Sequence, residues 1–287
     1  MSAHPLVARR RAVRWGEPAL IYAILILVGA LVIFPFFYMV TSSFKSSQAV
    51  VTVPPQLFPD VWQLGNYIEV VSIPSVQIGR QLLNSTIVTV TVVVGQVLTS
   101  LLAGYAFARI EFPGRNALFL AYLGTLMVPF AVLIVPMYRL MQALGWLDTL
   151  WALTIPWIFT AYGTFLLRQF FLTLPRDLEE AALIDGASRW GILFRIAAPL
   201  ARPAIATLAT FSFLYAWNSF LWPLIVITSP EKKVITQGLM DLQALYAVRV
   251  DLIMAGSVLA VLPTLLVYLF AQRYFIEGVA TSGLAGR

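Results

Sequence analysis

Long apolar stretches alternate with shorter polar ones along the whole chain. A run of 18 or more predominantly apolar residues is typical of a helix that crosses a membrane. The sequence predicts six such spans, at about residues 18–40, 85–107, 117–138, 150–167, 203–227 and 252–270. We therefore expect an all-α integral membrane protein with six transmembrane helices, forming a single transmembrane domain over residues 1–287.

Two of the connecting segments are longer and more polar than the rest. Residues 44–80 are rich in proline, with a predicted short helix near Tyr67. Residues 168–202 hold the largest cluster of acidic and basic side chains. Proline removes a helix hydrogen bond and clashes with the preceding turn. The prolines that we expect to interrupt or kink the spans are Pro129, Pro136, Pro156 and Pro223.

The composition excludes an ordinary soluble domain. Sixty per cent of the residues are hydrophobic and 11% are charged, against about 25% charged in globular domains. The chain has no cysteine, so disulfides are impossible, and its one histidine, His4, argues against zinc or haem sites. The net charge of +6 fits basic loops beside anionic lipid better than nucleic-acid binding, because no basic-aromatic patch lies outside the spans.

The distribution of basic residues predicts the orientation. Cytoplasmic loops carry the excess of Lys and Arg, and 13 of the 19 such residues fall on one side if the N-terminus is inside. Both termini are then cytoplasmic. The predicted segments are a tail at 1–17, spans one to four within 18–167, a cytoplasmic loop at 168–202, spans five and six within 203–272, and a tail at 273–287.

The middles of the six spans contain no Asp, Glu, Lys, Arg or His. Proton- and ion-driven carriers usually place such groups at mid-membrane depth, although carbonyls and hydroxyls can also hold sodium. No GxxxxGK[ST] phosphate-binding loop occurs, so any ATP must be hydrolysed by another polypeptide. The sequence offers no convergent catalytic or metal-ligating residues for a membrane enzyme. A transport subunit is favoured, with a secondary carrier as the alternative.

The polar loop predicts a short helix-turn-helix at the membrane surface. Asp177 can cap the first helix, and Glu180 can reach back to it in a capping box. Gly186 supplies the left-handed residue that ends this helix, and Ser188 can cap a second helix running toward Pro199.

One stripe of the first predicted helix carries small residues. Leu178, Ala181, Ala182 and Asp185 follow the i, i+3, i+4, i+7 pattern. The two alanines allow another backbone to approach closely. The residues alone leave two interpretations open, a docking element for a soluble partner or a solvated amphipathic hairpin.

This loop resembles the EAA signature of permease subunits in binding-protein-dependent ABC importers. The signature is met by Glu180, Ala181, Ala182, Gly186, Ile196 and Pro199. Ala198 stands where leucine is usual. The resemblance implies that residues 180–186, Asp185 among them, form the helix through which a separate ATPase is coupled.

The remainder of the chain is most similar to maltose-type, MalG-like carbohydrate permeases. The supporting stretches are 41–45, 84–85, 105–109, 145–149, 217–220 and Gly278. The resemblance implies the type I ABC importer fold, a sugar or sugar derivative as cargo, and no cofactor in this chain. The implied partners are a related second permease, two copies of an ATPase that binds ATP and Mg²⁺, an extracytoplasmic substrate-binding protein and membrane lipid. A peptide, amino acid or polyol phosphate is the alternative cargo. The family's closing Lys-Gly pair is absent from the tail, which ends in Gly286 and Arg287.

The fifth predicted span carries the candidate substrate path. Tyr215, Asn218, Ser219 and Trp222 follow i, i+3, i+4 and i+7 and form one polar-aromatic face of a continuous helix. Such a face offers a sugar both hydrogen-bond partners and a flat aromatic surface. The alternatives are a helix-helix contact glued by the polar pair, or an interfacial belt position for Trp222.

Overall fold

Helices account for the regular structure, and no β-strand occurs within residues 16–284. The computed structural model describes the backbone of those residues and the side chains of residues 20–273. The helices are α1 Gly16–Ser42, α2 Ser47–Val50, α3 Gly65–Ser72, α4 Ile78–Arg109, α5 Arg115–Gly124, α6 Phe130–Ala143, α7 Leu150–Thr154, α8 Ala161–Thr173, α9 Asp177–Ile184, α10 Arg189–Ile192, α11 Ala198–Leu200, α12 Arg202–Trp217, α13 Leu221–Val226, α14 Ile235–Leu245 and α15 Val250–Leu284. The predicted short helix near Tyr67 is α3. The predictions for the N-terminal tail, including His4, fall on residues 1–15, outside the described residues.

Four helical segments of the described chain are long and apolar enough to cross a membrane, and two bent pairs would bring the number to six. The four are Leu20–Ser42, Ile78–Arg109, Leu150–Thr173 and Val250–Arg273. The bent pairs are Arg115–Met127 with Phe130–Ala143, at 99°, and Arg189–Leu200 with Arg202–Trp217, at 79°. The all-α membrane architecture is confirmed, and the exact count of six spans stays a prediction.

Proline determines where the third span breaks. The bend lies at Val128 and Pro129, both of which have extended backbone. Proline disfavours the helical conformation of the residue before it, so the expected interruption at Pro129 is confirmed. Pro136 does not interrupt the span, because α6 runs through it. Pro156 lies in a 3₁₀ turn, Ile155–Trp157, between α7 and α8.

Several helices extend beyond the apolar runs from which they were predicted. α4 begins at Ile78, before the predicted residue 85, and α8 continues to Thr173. The loop predicted at 168–202 therefore starts too early, and α15 continues past residue 273 into the predicted tail. An α-helix keeps its backbone hydrogen bonds when its side chains become polar, so hydropathy alone predicts helices that are too short.

The core forms around α4, which packs along α8 and α12. Gly163 of α8 permits this approach, because a Cβ built there would lie 2.4 Å from Oγ of Ser100 and 2.9 Å from Leu208. Small residues at crossings are the usual means by which membrane helices pack closely. The end of α4 near Arg109 is thereby fixed against the chain that follows α8.

Candidate functional site

The first helix of the predicted helix-turn-helix is present but begins differently from the prediction. α9 begins at Asp177 with Arg176 in the capping position, and no side-chain cap is formed. The capping box between Asp177 and Glu180 is therefore wrong. The capping position lies one residue earlier than the sequence pattern indicated, at Arg176, whose side chain makes no cap hydrogen bond. Asp177, Glu179 and Glu180 still occupy the first turn, where acidic side chains suit the helix dipole.

The turn and the second helix form as predicted. Gly186 has φ of +80°, and the amide of Ala187 donates to the carbonyl of Ala182 at 2.9 Å, the closure typical of a glycine-ended helix. Ser188 accepts a hydrogen bond from the amide of Gly191 and caps α10. A π-helical turn, Leu193–Ala197, and α11 complete the unit, which we call the α9–α11 segment, residues 174–201.

The signature residues lie mostly on the outer surface of α9. Glu180, Ala181, Asp185 and Gly186 are exposed. Ala182 is half-buried and packs against the core that includes Phe171 and Leu208. Of the two alanines in the predicted stripe, Ala182 therefore faces the core. Ala181 faces outward and contributes a small, exposed side chain.

Glu179 joins this segment to the membrane helices. The side chain is buried, at 7% exposure, and its Oε1 lies 3.0 Å from Nε of Arg109. The hydroxyl of Tyr105 donates to its Oε2 at 3.0 Å. Arg109 also donates to the carbonyls of Phe171 and Leu174, at 2.6 Å each. One guanidinium thus connects the ends of α4 and α8 to α9.

Sequence reasoning missed this buried ion pair. Two adjacent glutamates follow each other in α9, and nothing local distinguishes the buried Glu179 from the exposed Glu180. No sequence signal selects Glu179, because the inward side of α9 is defined only by the packing of Ala182 against the core. Arg109, its partner, lies 70 residues earlier in the chain.

The tip of the α9–α11 segment exposes large apolar side chains. Ile184 is 87% exposed and Trp190 is 65% exposed. Trp190 and Phe194 stack with their ring centroids 6.1 Å apart. Leu183 is exposed as well. A charged segment with an uncovered apolar tip is typical of a surface on which another protein docks.

The predicted substrate face on the fifth span is interrupted. α12 ends at Trp217, Asn218 follows it as the C-cap, and α13 begins only at Leu221. The side-chain amide of Asn218 donates back to the carbonyl of Leu214 at 2.8 Å. Residues at i and i+7 lie on the same side only of a continuous helix. The prediction of one continuous polar-aromatic face is therefore wrong.

The structure nevertheless brings three of the four predicted path residues together. Tyr215, Ser219 and Trp222 line a narrow pocket of about 20 Å³, with Trp157 opposite, and Asn218 is not among its lining residues. Trp222 is buried, with its indole N–H donating to the carbonyl of Ala152 at 2.9 Å. The alternative of an interfacial belt position for Trp222 is therefore wrong. Pro223 lies in the first turn of α13, where its missing N–H breaks no hydrogen bond.

A much larger cavity, of about 930 Å³, opens beside that pocket. Tyr215 and Trp157 belong to both. Its other polar lining residues are Gln96, Thr125, Thr160, Tyr162 and Ser212. The amide of Gln96 donates to the carbonyl of Trp157 at 2.8 Å and accepts from the hydroxyl of Ser212 at 2.5 Å. Sequence reasoning missed these residues because four separate elements contribute them.

The profile of the family described as "Binding-protein-dependent transport system inner membrane component" matches residues 96–280, more than half of the chain. The chain belongs to this family. It is therefore a membrane transport component. The family resemblance predicted from the EAA signature is confirmed.

Permease proteins from several bacteria are similar over nearly the whole chain. The arabinooligosaccharides transport system permease protein AraQ of Bacillus subtilis is 35% identical over 91% of this chain and 93% of its own. The diacetylchitobiose uptake system permease protein NgcG of Streptomyces coelicolor is 38% identical over 91% and 87%. The sn-glycerol-3-phosphate transport system permease protein UgpE of Rhizobium meliloti is 34% identical over 91% and 95%.

Two solved structures share the fold. One is a bacterial ABC transporter involved in the import of the acidic polysaccharide alginate, with a TM-score of 0.80, 23% identity, and 95% of this chain and 100% of that chain covered. The second is a bacterial alginate ABC transporter in complex with an alginate pentasaccharide-bound periplasmic protein. Its TM-score is 0.64 with 16% identity, and 89% of this chain and 93% of that chain are covered. These likenesses agree with the ABC permease fold expected from the sequence.

Proposed function

We propose that this chain is one of two permease subunits of an ATP-driven importer for a sugar or sugar derivative. Both termini and the α9–α11 segment face the cytoplasm of a bacterial or archaeal inner membrane, and a related chain forms the second half of the path. Family membership supports a transport role. The 13 to 6 bias of Lys and Arg supports the orientation.

The exposed apolar tip of the α9–α11 segment carries the proposal. Ile184 and Trp190 lie at the tip, beside the exposed signature residues Glu180 to Gly186. A separate ATPase subunit that binds ATP and Mg²⁺ covers this surface, one copy for each permease. The chain itself has no phosphate-binding loop, so it supplies the docking surface and not the hydrolysis.

Arg109 and Glu179 transmit the movement. Closure of the ATPases displaces α9, and the buried ion pair makes the end of α4 move with it. α4 packs along α8 and α12, so a displacement at Arg109 reaches the walls of the large cavity. An interaction held in low dielectric by several hydrogen bonds is stiff enough to carry such a displacement.

The relatives' names support a carbohydrate as the cargo. Arabinooligosaccharides and diacetylchitobiose are sugars, whereas sn-glycerol-3-phosphate is a polyol phosphate, which remains the alternative. A substrate-binding protein outside the membrane delivers the solute. The alginate transporter structure with its periplasmic protein provides a parallel.

Replacing Gly186 by glutamate tests the docking. Gly186 and Gly114 both have positive φ, +80° and +78°, and a Cβ at either position meets nothing within 4 Å. Gly114→Glu is therefore a control of equal backbone strain in a different loop. We expect Gly186→Glu to lower co-purification of the ATPase and ATP-driven uptake together, at least tenfold, with membrane insertion retained. Normal ATPase binding by Gly186→Glu would contradict the proposal.

A further inference from the structure

The large cavity lies about halfway through the predicted membrane domain. Gln96 is 13 residues before Arg109 on α4, which at 1.5 Å per residue is about 20 Å from that end. The remaining part of α4, the 18 residues back to Ile78, is about 27 Å long. At about 930 Å³, the cavity is near the upper end of the range of about 300–1,000 Å³ for small-molecule sites.

Two tyrosine hydroxyl groups in the cavity wall have no hydrogen-bond partner among the described residues. Neither Tyr162 nor Tyr215 forms a hydrogen bond through its hydroxyl with the residues that the structure describes. Both side chains are exposed. Thr160 accepts a bond from the amide of Gly163 and retains its own proton for a ligand. These groups can therefore exchange hydrogen bonds with a solute.

Aromatic rings occupy the same wall. Trp157 packs against Phe130 and Tyr215, with ring centroids 5.5 and 5.6 Å apart. Tyr162 packs edge-on against Phe211, at 6.2 Å. These contacts fix the directions of the ring faces and hydroxyls before a solute arrives, which reduces the entropy lost on binding.

The cavity wall contains no charged side chain. None of its described lining residues is Asp, Glu, Lys, Arg or His. A phosphate or carboxylate in this surrounding has no cation from this chain beside it, and an unpaired charge in an apolar site is strongly disfavoured. Hydroxyl groups meet no such penalty, because the free tyrosine hydroxyls can both donate and accept.

From these observations we infer that this subunit itself contacts the transported solute, through Tyr162, Tyr215 and Thr160, and that the solute is uncharged and rich in hydroxyl groups. The inference rests on the proposed function, since it requires a transport subunit. It selects a neutral sugar over a polyol phosphate. Side chains of the partner permease are the alternative occupant of the cavity.

Thiol labelling tests the cavity without knowledge of the solute. The chain has no cysteine, so Tyr162→Cys and Tyr215→Cys each introduce one thiol. The assembled transporter is treated with uncharged hydroxyethyl and anionic sulfonatoethyl methanethiosulfonate, with and without ATP. We expect both positions to react in at least one state, with the anionic reagent slowed at least tenfold relative to a free thiol in solution. Tyr268→Cys on α15 is the control outside the cavity.

Two labelling results would overturn the inference. Absence of reaction at both cavity positions in every nucleotide state would mean that the partner permease fills the cavity. Reaction with the anionic reagent as fast as for a free thiol would mean that the wall does not disfavour charge.

Uptake into proteoliposomes tests the solute class. The probes are arabinotriose, diacetylchitobiose and sn-glycerol-3-phosphate, and ATPase co-purification is measured first, so a failure of assembly is scored against the proposed function alone. We expect uptake of a neutral probe, reduced about five- to tenfold at low solute concentration by Tyr215→Phe or Tyr162→Phe, and unchanged by Tyr268→Phe. Uptake of sn-glycerol-3-phosphate, or full neutral uptake by both cavity variants, would overturn the inference. If no probe is taken up, the thiol-labelling result alone decides whether the cavity is open to solute and disfavours charge.

Discussion

The α9–α11 segment and the segment at residues 228–251 are attached to the helix bundle in opposite ways. The first has one buried ion pair at its base and an apolar tip that none of the described residues covers. The second is held by many polar contacts. Its attachments include Thr228 and Ser229 to Asp148, Glu231 and Lys233 to Asn84, Ile235 to Ser85, and Arg249 to Glu69.

The two segments therefore differ in how much of their surface is used by contacts within the subunit. The 228–251 segment is joined to the rest of the subunit by several hydrogen bonds, so these contacts hold its position without a partner. The α9–α11 segment is fixed at its base and leaves apolar area exposed, where the proposed ATPase would dock. Substitutions at four positions test this difference through protein stability, in order from the largest expected effect to the smallest.

The ion pair at the base of α9 should give the largest effect. Glu179→Ala leaves Arg109 buried with only its two carbonyl partners, and removing one member of a buried pair costs about 3 kcal/mol or more. The melting temperature of the purified permease should fall clearly, whereas Glu180→Ala, at the exposed neighbour, should change stability by no more than about 0.5 kcal/mol. If expression fails, Glu179→Gln gives a milder version of the same test. Equal melting temperatures for the two alanine variants would show that the Arg109–Glu179 ion pair does not stabilise the attachment of α9.

Asp148 tests the polar attachment of the other segment. It has φ of +57° and accepts from the amides of Thr228 and Ser229, at 3.0 and 2.9 Å. Asp148→Ala loses these bonds and places alanine in a left-handed conformation, so we expect a loss of about 2–3 kcal/mol. Asp148→Asn tolerates this conformation and keeps an acceptor, so its loss should be smaller. A cost for asparagine as large as that for alanine would contradict this explanation.

Acid titration sharpens the test of Asp148. Burial alone raises the pKa of its carboxyl, but hydrogen bonds from Ser229, Thr228 and Lys232 outweigh it and lower the pKa well below its usual value. The stabilisation is complete above the unfolded pKa of about 3.9 and declines as the pH falls toward the folded pKa. Thermal melts from pH 6 down to pH 3 should show less acid destabilisation for Asp148→Asn than for the unsubstituted protein.

Ser188 gives an intermediate effect within the α9–α11 segment. Its hydroxyl accepts from the amide of Gly191 at 3.1 Å, and loss of such a cap costs about 1 kcal/mol. Ser188→Ala should lower the melting temperature slightly, and Ser188→Thr should restore it. ATPase affinity should fall in the same order, because α10 carries Trp190. Unchanged ATPase affinity in Ser188→Ala would show that the helix cap at Ser188 does not contribute to docking.

The role of Ser188 was predictable from sequence, and so was that of Gly186. Both depend on hydrogen bonds closed within five residues, so local pattern is sufficient. The role of Glu179 was not predictable, because its partner Arg109 lies 70 residues earlier and an adjacent glutamate matches the same motif. Long-range packing alone decides which acid is buried.

The substrate path shows the same limit. The i to i+7 pattern assumes a continuous helix, and the break at residues 218–220 redirects Trp222 into the core. Pro223 signalled a disturbance, but it could not reveal that the chain leaves the helix before it. The cavity residues Gln96, Thr160 and Ser212 come from three helices or their ends, so no spacing in the sequence relates them.

The Glu69 contact should give the smallest effect. Its carboxylate lies 2.7 Å from Arg249, but both side chains are partly exposed to solvent. Glu69→Gln should cost about 0.2–0.5 kcal/mol, and 0.5 M salt should reduce the difference further. Asp60→Asn, at an exposed carboxyl, is the control. A salt-insensitive loss above about 1 kcal/mol would show that this contact is more than a surface pair.

The π-helical turn at Leu193–Ala197 determines the direction in which the stacked rings of Trp190 and Phe194 point around the helix axis. A π-turn accommodates more residues than an α-turn, so deletion of one residue there would restore regular winding and rotate everything before it by about 100°. Trp190 and Phe194 would then point in a different direction from the helix bundle. If the proposed ATPase docks on these rings, a single-residue deletion should weaken its binding without changing the chemical character of the exposed side chains of α10.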